Sequence, residues 1–404
     1  MSTAMDRETL PLQTTAGGGL TRDRPPRIAE IDLLRGFVIA LMVLDHVRDF
    51  FLTQAFAFSH TDPERTTLAL YATRWATHLC APTFVFLAGA SIFLQQANGK
   101  SSRQLARFLA LRGAWLLVLE LTIVGFGFNF APIVFLQVIW AIGMGMVLLA
   151  VLVRFSPRAI GTLGAVIVVG HGLLAPIDAG DLGSLGLVWT LLFELSFVPN
   201  LGLIAYPLVP WFGVMCLGYA LGFIFTLPLE RRRRALATAG AVALVAFVIV
   251  RTLNGYGDPA RWRSFETISQ TVMSFLNVSK YPPSLLFVLV TLGPSLLITP
   301  LLMRLRGSLA NLLLAFGRTP LFTYVLHIYV AHGAALIIGI AMGLPAAAFR
   351  NFILDPSPLS NSNWGFPLAG VYVAWVGVLA LLYPLSAWFA DVKRRRRDWW
   401  LSYV

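Results

Sequence analysis

The chain has 404 residues, of which 57% are hydrophobic and only 12% charged, and its mean hydropathy is +0.74. That balance excludes a soluble globular enzyme, which carries roughly 25% charged residues, and a disordered chain, which needs low hydrophobicity. A net charge of +12 would suggest nucleic acid in a soluble protein, but here the cations sit between apolar blocks, as membrane orientation signals do, so no nucleic-acid partner is expected.

Residues 1–27 hold Asp6, Glu8, three consecutive glycines, Pro25 and Pro26. They lack a signal peptide's apolar run and read as a disordered cytoplasmic tail. Beyond them, apolar blocks recur at about 20 residues, the length that crosses a bilayer as a helix. They predict ten spans, at roughly 33–52, 74–95, 106–126, 132–153, 158–176, 202–226, 235–253, 283–303, 320–341 and 367–390. The alternating segments of a transmembrane β-barrel are not seen. The shorter stretches 185–199 and 308–316 read as interfacial or re-entrant. With the N-terminus inside, 23 of the 31 Lys and Arg fall in inner segments, including Arg231–Arg234 and Lys393–Arg397. The positive-inside rule then puts both termini in the cytoplasm. The expectation is an all-α polytopic membrane protein: a transmembrane domain at 28–392 and a basic cytoplasmic tail at 393–404. Outer segments 177–201, 254–282 and 342–366 are long enough to cover a site. Cys80 and Cys216 lie inside apolar blocks, which rules out a disulfide framework and metal-type spacing; no metal is expected.

Ionisable side chains in a span are costly and therefore candidates for function. The first span is the densest, with Glu30, Asp32 and Arg35 at its inner end and Asp45, His46, Arg48 and Asp49 toward its outer end. Arg35 and His46 are eleven residues apart, within about 20° of one helix face and about 16 Å apart along the axis. Asp49, one turn beyond His46, is placed to orient the ring. Asp45 and Arg48 serve equally well as interface anchors. His78 lies at similar depth on the second span, so a facing His46–His78 pair is an expectation, against a histidine satisfied by a backbone carbonyl. Glu120 lies mid-span, and Asn129 and Gln137 flank a short turn. Tyr324, His327 and His332 share a later span, where 327 and 332 diverge by about 140°, which argues against a two-histidine metal site. Lys280 precedes the rigid Tyr281-Pro282-Pro283 and fits either an anionic group or a plain interface anchor. Walker, GxSxG and HExxH motifs are not found.

EIDLLRGFVIALMVLDH and HLCAPTFVFLAGASIFL, with the segments at 206–222, 280–294 and 316–332, resemble the bacterial branch of the heparan-alpha-glucosaminide N-acetyltransferase catalytic-domain family. The Arg-x10-His spacing is also similar to that of transmembrane acyltransferases that O-acetylate envelope sugars. The resemblance implies transfer of an acetyl group from cytoplasmic acetyl-CoA, a co-substrate, to an amine or hydroxyl of a glycan on the far side of the cytoplasmic (inner) membrane. By the same resemblance Arg35 and His46 match the wider group's essential pair, and Asp32 its acidic position. In the lysosomal members Asn stands at the position of His46 and Asp at that of His78, and their histidine falls after the first span, nearest His60; the base stays open between His46, His78 and His60. The sequence-based mechanism puts CoA phosphates at the inner rim, near Arg35 and the basic residues of 100–112, Arg103 and Arg107 among them. It puts the thioester beside His46, oriented by Asp49 or Asp45 and acting either as general base or through an acetyl-histidine intermediate, and the acceptor near Lys280, Tyr281 and His327. The rival is a proton-coupled transporter or flippase of a lipid-linked sugar using the same residues as a relay; a scaffold without chemistry leaves His46 unexplained. An oligomer is compatible with all three.

Overall fold

The computed structural model describes residues 28–403 apart from Gln54, Asn200 and Arg397; the tail expected over 1–27 lies outside them. Sixteen α-helices follow in order: α1 Ala29–Phe51, α2 Leu68–Thr77, α3 Cys80–Ala97, α4 Ser102–Leu119, α5 Gly125–Asn129, α6 Val138–Leu152, α7 Pro157–Gly170, α8 Gly186–Phe193, α9 Leu208–Leu221, α10 Leu229–Leu253, α11 Ile268–Leu276, α12 Leu285–Leu302, α13 Gly307–Arg318, α14 Pro320–Ala341, α15 Ser357–Ser360 and α16 Leu368–Arg395. Among the described residues, eight helical stretches are long and apolar enough to cross a membrane: α2–α3, α4–α5, α7, α9, α10, α12, α14 and α16. This is an all-α polytopic membrane protein. The two other predicted spans are also helices. α6 is apolar but only 15 residues long, and α1 carries too many charges to qualify by hydropathy. α8 and α13, in the two shorter apolar stretches, have 8 and 12 residues and are too short to span.

Strands were not expected. Val134–Leu136 (β1), Ser196–Val198 (β2) and Gly202–Ile204 (β3) form a small sheet in the order β1-β3-β2, with β1 parallel and β2 antiparallel to β3. The predicted spans at 132–153 and 202–226 therefore begin as extended chain, and helix starts only at Val138 and Leu208. Three-residue apolar strands carry no period that hydropathy can separate from a helix.

α1 is the central element, packed against α3, α12, α13, α14 and α16. Val38, Ile39, Val43 and Val47 are 0% exposed. Gly36 and Gly317 let α1 and α13 touch backbone to backbone: a Cβ on Gly36 would fall 1.9 Å from the Leu313 carbonyl oxygen. α10 and α16 instead expose Val242, Val245, Ile249, Val373 and Val376, the surface an apolar solvent rewards. Surrounded by protein rather than lipid, α1 tolerates its charged residues.

Two connecting segments close the C-terminal end of α1. In 254–282, the Arg251 guanidinium donates to the carbonyls of Ala260 (2.7 Å), Phe275 (2.9 Å) and Asn277 (2.7 Å). The Asp258 carboxylate accepts from the Ser279 amide (2.7 Å) and the Ser284 hydroxyl (2.6 Å). Together these hold Lys280 and Tyr281 in place. In 342–366, the Phe366 amide donates to the Phe51 carbonyl (2.7 Å) and the Trp364 indole to the Phe50 carbonyl (3.0 Å).

Candidate functional site

The last turns of α1 gather four charged or titratable groups. Asp45 Oδ1 accepts from the Arg74 guanidinium (2.6 Å) and the Thr77 hydroxyl (2.6 Å) and pairs with Arg48 (2.8 Å). Three donors converge on that oxygen, which makes Asp45 the node of a buried charge cluster that also lies within electrostatic reach of His46. Asp49 is engaged by Arg48 at 2.5 Å and lies 3.9 Å from His46 Nδ1, beyond hydrogen-bond range but within ion-pair range. Lys280 lies within electrostatic reach of Asp45, His46 and His78 and rests 4.9 Å over the Tyr281 ring.

The histidine that meets His46 is His327, not His78. Their rings lie 5.2 Å apart, and Phe128 stands edge-on to His46 at 4.9 Å. His78, at the end of α2, faces the Phe287 ring at 5.5 Å. Consecutive helices did become neighbours, but the turn after α2 re-aims His78. His46 Nδ1 and both nitrogens of His327 are buried without hydrogen-bond partners. His332, five residues beyond His327, points elsewhere: its nitrogens meet the carbonyl oxygens of Gly127 and Phe349, each at 2.8 Å, which gives it a bracing role. His60, in the segment after α1, packs edge-on to Phe58 at 5.3 Å. Burial first, then the Arg48 guanidinium, pushes it down to about 4.

At the N-terminal end of α1, the Arg35 guanidinium donates to the Ser91 hydroxyl and lies 3.5 Å from Asp32. Both Arg35 and Asp32 line a cavity of ≈ 850 Å³, within the range of small-molecule sites. Lys100, Arg112, Arg318 and Lys393 make its wall basic, and Leu321 and Tyr324 of α14 line it as well. The Tyr324 ring stands 5.4 Å from His327, so the imidazole pair adjoins a residue that lines the cavity. α14 makes this possible, because positions 324 and 327 share a face. Arg103 and Arg107 are exposed and outside the lining; Arg112, one turn further along α4, is inside it. The expected basic tail starts within α16, and Trp399, Leu401 and Tyr403 fold back into the cavity wall. There Arg112 donates to the Ser402 carbonyl, and Tyr403 meets Phe108 at 5.8 Å. Among the described residues, no three His, Cys, Asp or Glu side chains converge as metal ligands.

The family model described as heparan-alpha-glucosaminide N-acetyltransferase, catalytic, matches residues 27–256, more than half of the chain. The chain belongs to this family. It is therefore a transmembrane acetyltransferase. No curated protein matches it. The region matched to the N-acetyltransferase family runs from α1 to just past α10 and holds Arg35, His46, His60, His78 and Glu120; Lys280, Tyr281, Tyr324 and His327 lie beyond it. The sequence alone singles out Arg35, His46 and His327, does not mark Ser91 and leaves Tyr324 without a role. Their involvement depends on which helices meet, and no spacing within one segment reports that.

Proposed function

We propose that this acetyltransferase takes its acetyl group from cytoplasmic acetyl-CoA and passes it to a hydroxyl or amine of an envelope sugar or glycolipid on the outer side of the inner membrane. The observation that carries the reading is the cavity, whose wall runs from Arg35 to Tyr324 with His327 and His46 beyond. CoA phosphates meet the cations of the cavity wall, Arg35 first, with Asp32 holding that guanidinium; Arg103 and Arg107 act only as outlying attraction. The pantetheine arm runs toward Tyr324, and the thioester reaches the imidazole pair. His46, favoured by its place beside His327, takes the acceptor's proton as it attacks, with the Asp49 charge stabilising the imidazolium. Asp45 fixes α1 to α2. Lys280, Tyr281, His327 and His78 border the acceptor. His60, held near 4, is a poor base at neutral pH. Both termini then face the cytoplasm, which satisfies the positive-inside rule.

The test is acetyl transfer by the purified protein from labelled acetyl-CoA to envelope glycolipid. His46→Ala should lower kcat by about 10²-fold or more without lowering thermal stability in detergent. A stably folded His46→Ala protein with wild-type turnover contradicts the reading. Glycans from cells with and without the gene should differ by one acetyl group.

A further inference from the structure

Attack on a thioester turns its carbonyl oxygen into an oxyanion, and a donor held ready for that charge is among the larger contributions an enzyme makes. The arrangement above supplies a rim and a base but assigns no such donor. Tyr324 stands where one is needed. It lines the cavity together with Arg35, and its ring is in edge contact with His327, which adjoins His46. It is 4% exposed, and its hydroxyl has no hydrogen-bond partner. A buried hydroxyl left unpaired costs about 1–3 kcal/mol, so an orphan on a residue that lines a cavity points to a ligand that completes it. The surroundings are polar as well. Glu120, 0% exposed on the π-helical turn Glu120–Val124, lies within electrostatic reach of Tyr324. One of its oxygens accepts from the Gln137 amide; the other, and Gln137 Nε2, are unpartnered.

We propose that Tyr324 is a catalytic residue of the acetyl transfer, its hydroxyl donating a hydrogen bond to the thioester carbonyl oxygen as the acceptor adds. The inference rests on the acetyl-CoA reading above. The acceptor's lone pair forms a bond to the carbonyl carbon, and the C=O electron pair moves onto oxygen, where the phenol meets it. The carbonyl then reforms and the C–S bond breaks. The acceptor's proton passes to His46 and from there to the departing thiolate, which leaves as the CoA thiol. Tyr324 keeps its own proton throughout.

Tyr324→Phe preserves the ring against His327 and removes only the donor. The expected result is a kcat lower by about 10²–10³-fold, with KM for acetyl-CoA and direct binding of CoA within about threefold of wild type, because the bond strengthens only in the transition state. A kcat within about threefold of wild type overturns the proposal, as does a loss confined to KM. If Tyr324→Phe does not fold, fluorotyrosine at position 324 retains the shape and makes the hydroxyl more acidic. The proposal then requires activity at high pH to fall at a lower pH than in wild type, and an unchanged kcat and pH profile overturns it. Wild-type protein that transfers nothing from acetyl-CoA defeats the underlying reading instead, whereas an active wild type with an equally active Tyr324→Phe defeats only this inference.

Discussion

At the scale of single residues, the two ends of α1 make separable predictions. Arg35→Glu should raise KM for acetyl-CoA at least about tenfold, since its charge sits in the cavity wall, while Arg103→Ala and Arg107→Ala, solvent-screened and off the wall, should change it less than about twofold. A steady-state titration of acetyl-CoA decides this. Asp49→Asn should lower kcat by about tenfold, well short of the His46→Ala loss, because the carboxylate is 3.9 Å from Nδ1 and already shared with Arg48. His60 gives a pH signature. Its folded value of about 4 lies below the ordinary 6.5, so folding favours the neutral ring. Its contribution to stability is fully present above about pH 6.5 and is lost as pH falls toward 4. His60→Gln should flatten the unfolding-temperature profile across that window; an unchanged profile contradicts the assignment. Arg35, His46 and His327 were legible in the sequence because charge and imidazole are anomalous in apolar segments. The His46–His327 contact was not legible, because it joins helices nearly three hundred residues apart.

At the scale of elements, hydropathy reported buried and lipid-facing helices alike, α12 and α9 as well as α10 and α16, and failed where charges or short extended segments intervene. α10 and α16, outward and apolar, are plain in the sequence. α1 was recognised only by tolerating its charges, and the short sheet was missed because Val134–Leu136 and Gly202–Ile204 look like helix ends. The C-terminal segment read as a tail because its arginines dominate the composition, yet buried Leu401 pins it to the cavity. The α1–α13 contact predicts a sharp asymmetry. Gly317→Val puts a side chain where a Cβ alone would fall 1.7 Å from the Asp32 carbonyl oxygen, whereas Gly333→Ala, with open space around it, is free of such contact. The first should destabilise by more than about 3 kcal/mol and raise KM for acetyl-CoA by displacing Asp32 and Arg35. The second should leave both unchanged, as thermal unfolding in detergent will show.

At the scale of the whole molecule, the central helix of a helical frame joins a basic cavity wall to a buried imidazole pair. The charge asymmetry that orients the chain and the charges that receive the cofactor are then partly the same residues. The rival transporter uses the same buried groups but needs no thioester. The most direct measurement uses sealed proteoliposomes with the protein in one orientation, acetyl-CoA on the side of the Arg35 end of α1 and a glycolipid acceptor on the other. Acetylated acceptor is expected on the far side, lost with His46→Ala, and none when acetyl-CoA is supplied only from the far side. Equal transfer from either side, or transfer only from the side opposite Arg35, would contradict it.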